Sequence, residues 1–298
     1  MTTAEPGAGA RRTWVLGGGA ARGAAQVGVL LALFEAGVAP PDRILGVSVG
    51  ALNGAVLARY PSLAGAQMLH ETWTSKLVRQ VFKMRPAELV ISRLRGQGKL
   101  SVLPASALQH LVHRQLNLLG VEHFEELAVP FQVGVTSLGD GAAHLLDRGE
   151  LFAPLVASCA IPGAFPGMDV DGERYFDGGV ADNDPFGRAV EQGAQDVLAI
   201  TLCGIEGGIS RPSHWIELLG QAVSVMLYQR VLADFARYRD RARIAVLAPM
   251  LAPGTAWSLE PAHVSALMGR TRDATLRWLD EHGGLPPESL LIPLSIEA

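Results

Sequence analysis

Two copies of one short pattern open this chain, and they leave few folds available to it. Trp14-Val15-Leu16 is an apolar run that ends in Gly17-Gly18-Gly19-Ala20-Ala21-Arg22-Gly23. Ile44-Leu45-Gly46-Val47 is a second run, and it ends in Ser48-Val49-Gly50. A helical pattern follows each turn. From Ala24 to Ala36, apolar residues fall at Val27, Leu30, Leu31 and Phe34, with Gly37 as a C-cap. The small residues Ala51, Gly54, Ala55 and Ala58 follow the second turn. Strand, glycine turn and helix in repetition predict a parallel sheet with crossover helices. Open sheets of this kind bind ligands outside the carboxyl ends of their strands, where both turns fall.

The second turn also carries chemistry. Gly46-x-Ser48-x-Gly50 matches a nucleophile elbow, in which a serine sits on a sharp strand-to-helix turn and flanking glycines keep its surroundings clear. The helix that follows aims its N-terminal N–H groups at the serine. A chance match stands beside this reading, because 34 of the 298 residues are glycine. The first turn argues against chance. Gly17-Gly18-Gly19 leaves successive backbone N–H groups free to face an anion, and it should lie next to the serine.

Downstream, Ala64 to Thr74 and Pro104 to Leu116 read as helices, and Phe124 to Leu127 as a short one. Phe131 to Ser137 and Ala143 to Leu146 read as strands around Gly139-Asp140-Gly141. Met168 to Phe176 reads as a hairpin turned on Asp171-Gly172. It delivers Asp177-Gly178-Gly179. The cap Asp182-Asn183-Asp184-Pro185 starts a helix to about Gln192, and the strand Val197 to Leu202 follows. Trp215 to Arg239 and Pro261 to Glu281 are long helices around a buried strand, Ile244 to Ala248. No repeat or linker interrupts the pattern. The expected organisation is a disordered tail over 1–12 and a single domain over 13–298.

Lys76 to Lys99 departs from its surroundings, with seven basic residues (Lys76, Arg79, Lys83, Arg85, Arg93, Arg95, Lys99) against Glu88 alone. It reads either as a solvated helical pair or as a docking surface for an anionic membrane. The whole chain has a net charge of −4, which offers nucleic acid no general attraction. Apolar residues at 49% against 18% charged indicate a folded protein rich in buried strands. Cys159 and Cys203 lack a metal-ligand spacing and are expected to be reduced thiols of a cytoplasmic protein. No signal peptide is expected, since Arg11-Arg12 is followed by glycines and Arg22 instead of an apolar run. No stretch reaches the roughly 20 apolar residues of a spanning helix.

An acyl-transfer site needs a nucleophile, a base and donors for the oxyanion. The eight histidines sit mostly on polar helices, and His144 reads as a core residue of an apolar strand. A carboxylate framed by glycines stands out instead, Asp177 at the end of a strand. Its ordinary pKa near 4 makes it a weak base, but burial beside Ser48 would raise that value and make a serine–aspartate pair workable. The alternative is that Asp177-Gly178-Gly179 is only a turn.

Together these features resemble the patatin-like phospholipase family. Its G-G-G-x-R/K-G signature is similar to Gly18-Gly19-Ala20-Ala21-Arg22-Gly23. Its G-x-S-x-G motif matches Gly46 to Gly50, and its D-G-G/A motif matches Asp177 to Gly179. Ser158 to Pro166, Asn183 and Pro185 fit the surrounding pattern, and the resemblance spans about residues 13–202. It implies a three-layer α/β/α patatin-like fold with a mostly parallel central sheet. It implies a lipid acyl hydrolase acting on a lipid or acyl-ester substrate without metal or cofactor. Ser48 would be the nucleophile and Asp177 the base. N–H groups around Gly18, Gly19 and Ala20 would form the oxyanion hole, and Arg22 would order that loop or meet a phosphate. Alanine stands at position 20 where the family has its third glycine, unless the match shifts to Gly17-Gly18-Gly19. If that position needs a positive φ, the loop is strained.

Three other readings were weighed. A Ser–His–Asp hydrolase shares the elbow, but several strands usually precede its serine and no histidine here is well placed. A dinucleotide site fails because Arg22 occupies the last glycine position counted from Gly17, and the second strand ends without an acid for the ribose. A non-catalytic lipid-binding member of the same fold is the nearest rival, and Ala20 is its argument.

Overall fold

The computed structural model describes residues 12–75, 105–204, 215–251 and 260–296. The basic segment Lys76 to Lys99 lies outside the described residues. Arg12, assigned above to the tail, begins β1 (Arg12–Leu16), and its backbone N–H donates to Asp42 at 2.9 Å. The first strand and its turn lead into α1 (Gly23–Glu35), then β2 (Arg43–Val47), α2 (Val49–Arg59), α3 (Leu63–Thr74) and α4 (Ala105–Leu119). After these come β3 (Phe131–Ser137), β4 (Ala143–Leu146), α5 (Phe152–Ser158), β5 (Met168–Val170), β6 (Glu173–Asp177) and α6 (Phe186–Glu191). The chain continues with β7 (Asp196–Ile200), α7 (Trp215–Tyr238), β8 (Arg243–Met250), α8 (Pro261–His282) and β9 (Leu290–Ser295).

All nine described strands share one sheet in the order β5-β6-β3-β2-β1-β7-β8-β9, with β4 paired to β3. From β3 to β9 every pairing is parallel; β4, β5 and β6 form an antiparallel edge. The side-chain period of two then sorts the core into layers. Trp14, Leu16, Ile44, Leu198 and Ile200 pack toward the layer of α1, α2, α3, α4, α5 and α8. Their neighbours Val15, Leu45, Val197 and Ala199 pack toward α6 and α7. The fold is the expected three-layer α/β/α arrangement.

Helix α1 is buried on nearly every side because α8 crosses it closely. A Cβ at Gly28 would stand 2.4 Å from the Met268 carbonyl oxygen, so this crossing requires glycine. At the opposite edge the hairpin turns on Asp171 (φ 50°) and Gly172 (φ 84°), the positive pair of a type I′ turn.

Three elements differ from the sequence reading. Helix α5 was not anticipated: it is seven residues long and contains Pro154, which is tolerated in a first turn where no N–H acceptor is needed. Strand β9 was also missed; Pro293 interrupts its pattern, and it lies at the sheet edge, where proline is allowed. His144 is not a core residue. Strand β4 is only half-buried, and the imidazole pairs with Asp140 at 3.1 Å and meets the Tyr175 ring edge-on.

The register at β3 is what builds the site. β2 pairs residues Phe131 to Gly134, β6 pairs Val135 to Ser137, and β4 pairs Val133 to Thr136. One edge of a strand accepts one partner at a time, and β4 overlaps both others. β2 and β6 therefore share the opposite edge of β3, end to end. Their carboxyl ends face each other, Val47 beside Gly134 and Asp177 beside Val135.

Candidate active site

Ser48 stands where β2 becomes α2, with φ 53° and ψ −126°. A serine at positive φ is strained by on the order of 1–3 kcal/mol, so the surroundings must hold it there. Two contacts do so. Its N–H donates to Ser158 Oγ at 2.8 Å, and the Ser158 hydroxyl donates in turn to the Gly134 carbonyl at 2.7 Å. Ser158 is fully buried at the end of α5. The sequence reading noted the segment but missed this role; a lone serine before Cys159 carries no local signal for it.

The glycines of the elbow serve close approach. A Cβ at Gly50 would lie 2.0 Å from the Leu16 carbonyl oxygen, so its absence lets the first turn of α2 rest on the end of β1. Gly46 likewise lies under the start of α2, where a Cβ would come within 2.7 Å of Ala51 Cα. These contacts bring the two predicted turns side by side. A Cβ on Gly18 would be 3.1 Å from that of Ser48.

Asp177 arrives from the antiparallel edge. Its N–H donates to the Ala160 carbonyl at 3.1 Å, and its own carbonyl accepts from Thr136 Oγ1 at 2.9 Å. Gly178 packs directly on the β3 backbone, and Gly179 N–H donates to Asp177 Oδ1 at 2.8 Å. The carboxylate is 6% exposed and Ser48 7%. Burial raises the Asp177 pKa to about 6, opposed by the Ser48 hydroxyl within hydrogen-bonding reach and by the Gly179 N–H. None of the described histidines hydrogen-bonds either residue.

The Gly17 to Arg22 loop is more selective than its sequence suggested. Gly18 N–H is not free: it donates to the Asn183 carbonyl, at a long 3.4 Å. Gly19 and Ala20 begin a 3₁₀ turn closed by Arg22 N–H on the Gly19 carbonyl, and a helical start leaves its first N–H groups without partners. Among the described residues, neither Gly19 N–H nor Ala20 N–H has an acceptor. Ala20 holds φ 51°, so the position does require the left-handed conformation that glycine would adopt freely. The Arg22 guanidinium donates to the Leu202 carbonyl at 3.2 Å and to Ser224 Oγ at 3.3 Å.

From Ser48 and Ala20 a narrow cavity, partly open to solvent, runs between α2, α3 and α4. Its walls are almost wholly apolar, with Leu52, Leu69, Trp73, Leu108, Leu111 and Phe165 along its length. The Trp73 indole N–H is satisfied by Asn53 Oδ1 at 3.0 Å, which keeps that wall free of an unpaired donor. Cys159 lines the same cavity, and both cysteines are free and buried.

An open, mostly parallel α/β sheet thus brings together a strained serine, a buried carboxylate and a glycine loop at one end of its central strands. The chain belongs to the patatin-like phospholipase family, whose profile matches residues 14–190. Its similarity to patatin-like phospholipase domain-containing protein 7 of Rattus norvegicus is 32% identity over 189 residues, covering 62% of this chain and 13% of that protein. An NTE family protein of Mycobacterium tuberculosis is 30% identical over 217 residues, covering 71% of this chain and 56% of its own. The chain thus spans a small part of the rat relative and about half of the mycobacterial one. Among solved structures, VipD of Legionella pneumophila has 14% identity and a TM-score of 0.49, covering 92% of this chain and 67% of that one. No described helix is long and apolar enough to cross a membrane.

Proposed function

We propose that the chain is a lipid acyl hydrolase that cleaves carboxylic esters with a Ser48–Asp177 dyad. The observation that carries this reading is the head-to-head arrangement of β2 and β6, which sets a buried carboxylate within reach of a strained serine hydroxyl. Asp177 takes the Ser48 proton as Oγ attacks the ester carbonyl. Gly19 and Ala20 N–H groups stabilise the tetrahedral oxyanion, each such donor contributing about 3 kcal/mol in comparable sites. The leaving alkoxide takes the proton back from Asp177, which leaves an acyl-enzyme on Ser48. Water then deacylates it, with Asp177 again as base. An aspartate with a pKa of about 6 is mostly ionised at neutral pH and is still a stronger base than an exposed one.

The apolar cavity supports an acyl substrate, since a hydrocarbon chain lying there exchanges water for apolar walls over most of its length. Arg22 serves by tying the loop to Leu202 and Ser224. The non-catalytic alternative rests on Ala20, but its strain costs about 1–2 kcal/mol and leaves its N–H in place. Labelling by a fluorophosphonate probe tests the proposal. Wild-type protein should be modified at Ser48 and Ser48→Ala should not; labelling that survives the substitution excludes the serine assignment.

A further inference from the structure

The proposed dyad leaves a second buried carboxyl group unused. Asp184 is 5% exposed, packs against the start of the oxyanion loop at Gly17 and does not line the cavity. Its Oδ1 is packed against the backbone of Gly17, where a Cβ would stand 2.1 Å away, and among the described residues it has no hydrogen-bond partner. Its Oδ2 accepts from Asn183 Nδ2 at 2.7 Å. That amide also donates to the Gly18 carbonyl at 3.3 Å, while the Asn183 carbonyl accepts the Gly18 N–H at 3.4 Å. Asn183 therefore holds Gly18 through both of its backbone polar groups, and Asp184 holds Asn183. The result is that Gly18 is removed from the set of anion donors and Gly19 and Ala20 are presented instead.

The charges around Asp184 all disfavour its ionised form or fail to offset it. Asp182 from the same turn and Asp234 from α7 face it with like charge. The Cys203 thiol, at 4.0 Å from Oδ2, is held neutral by its own burial. Arg188 and Arg230 face Asp182, and Arg22 faces Cys203. Among the described residues, no cation bonds either Asp184 oxygen. Burial thus raises this pKa to about 7, against the opposing hydrogen bonds of Asn183 and Thr201.

We propose that Asp184 is a positioning residue of the acyl-transfer site that works as a neutral acid and switches the site off when it ionises. The proposal rests on the dyad reading above. A carboxylate formed here places a negative charge against the Gly17 backbone, two residues before the first of the N–H groups that would receive the oxyanion. It also leaves a charged oxygen without a donor, which draws the Gly17–Gly18 backbone toward it. The two buried carboxyl groups then act in opposite directions. Asp177 must lose its proton for turnover, near pH 6, and Asp184 must keep its own, up to near pH 7. Activity is confined between them.

The test is the pH dependence of kcat for the full chain on a soluble ester, p-nitrophenyl butyrate, comparing wild type with Asp184→Asn. The substitution keeps the shape and an acceptor for Asn183 but cannot ionise. We expect wild-type kcat to fall about fivefold or more above neutral pH, and Asp184→Asn to lose that fall while KM and the acid limb stay in place. An alkaline fall of the same size in Asp184→Asn, or none in the wild type, overturns the proposal. Asp184→Leu, which releases Asn183, should lower kcat about tenfold at every pH; wild-type kcat in a folded Asp184→Leu overturns the positioning role. Should that variant not fold, the Asp184→Asn profile decides alone. Absence of fluorophosphonate labelling in the wild type at every pH overturns the dyad and this proposal with it. Labelling at Ser48 with an unaltered profile overturns only the role of Asp184.

Discussion

The turns that end β1 and β2 are built alike, and each forces one non-glycine residue to positive φ: Ala20 at 51° and Ser48 at 53°. They differ in what the strained residue offers. At the β2 turn the strain aims a side chain, and a hydrogen bond from Ser48 N–H to Ser158 holds it. At the β1 turn the strain aims only backbone N–H groups, and the methyl of Ala20 is incidental. A turn that presents a side chain should tolerate no change of residue, whereas one that presents its backbone should tolerate any residue that can adopt the angle.

Substitutions that separate the two turns should follow this order. Ser48→Ala removes the proposed nucleophile, and hydrolysis of a soluble ester should drop by about 10⁶ with complete loss of fluorophosphonate labelling. Asp177→Asn should lower kcat by about 10³–10⁴. The same change should raise the melting temperature at neutral pH, for a reason of sign. Burial holds the folded pKa of Asp177 above its ordinary value, so stability is lost as pH rises from near 4 through about 6 and stays lower above that. Removing the charge restores it, and a lowered melting temperature would count against the burial argument. The acid limb of wild-type kcat should fall near pH 6 and disappear from the residual rate of Asp177→Asn.

Smaller effects come from residues that hold the turns. Ser158→Ala leaves the Ser48 N–H without its buried acceptor and should cost about 1–3 kcal/mol of stability, with kcat reduced about tenfold. A kcat equal to wild type would mean that α2 and β3 alone fix the elbow. Ala20→Gly is the mildest. It should relieve roughly 1 kcal/mol of strain, read as a higher unfolding midpoint, and change kcat less than about threefold. A large change in either direction would show that the Ala20 methyl meets the substrate, breaking the distinction between the turns.

Local patterns in the chain were sufficient to place most elements. Strand β3 and strand β4 begin and end where the sequence reading put them, and α1, α3, α7 and α8 fall within one or two residues of it. Two helix features escaped: α5, at seven residues, makes only about two turns, too few for a periodic pattern to stand out, and its Ser158 acts only through a distant backbone. Ala20 departs visibly from the glycine pattern in the sequence, but its φ of 51° is seen only in the folded loop. Gly18 read as a free donor until Asn183, 165 residues away, occupied it.

The serine at Gly46 to Gly50, the glycine turn before it and the parallel strands joining them were determined by the sequence itself, because each is a matter of local backbone preference and side-chain period. Bringing Asp177 to Ser48 was not. It depends on β6 pairing antiparallel with the part of β3 that β2 leaves uncovered, a choice of register between strands whose ends, Val47 and Asp177, lie 130 residues apart. The burial that lifts Asp177 to about 6 and Asp184 to about 7 is likewise a property of the assembled layers. No carboxylate has its solvent removed until the sheet and both helical layers close around it.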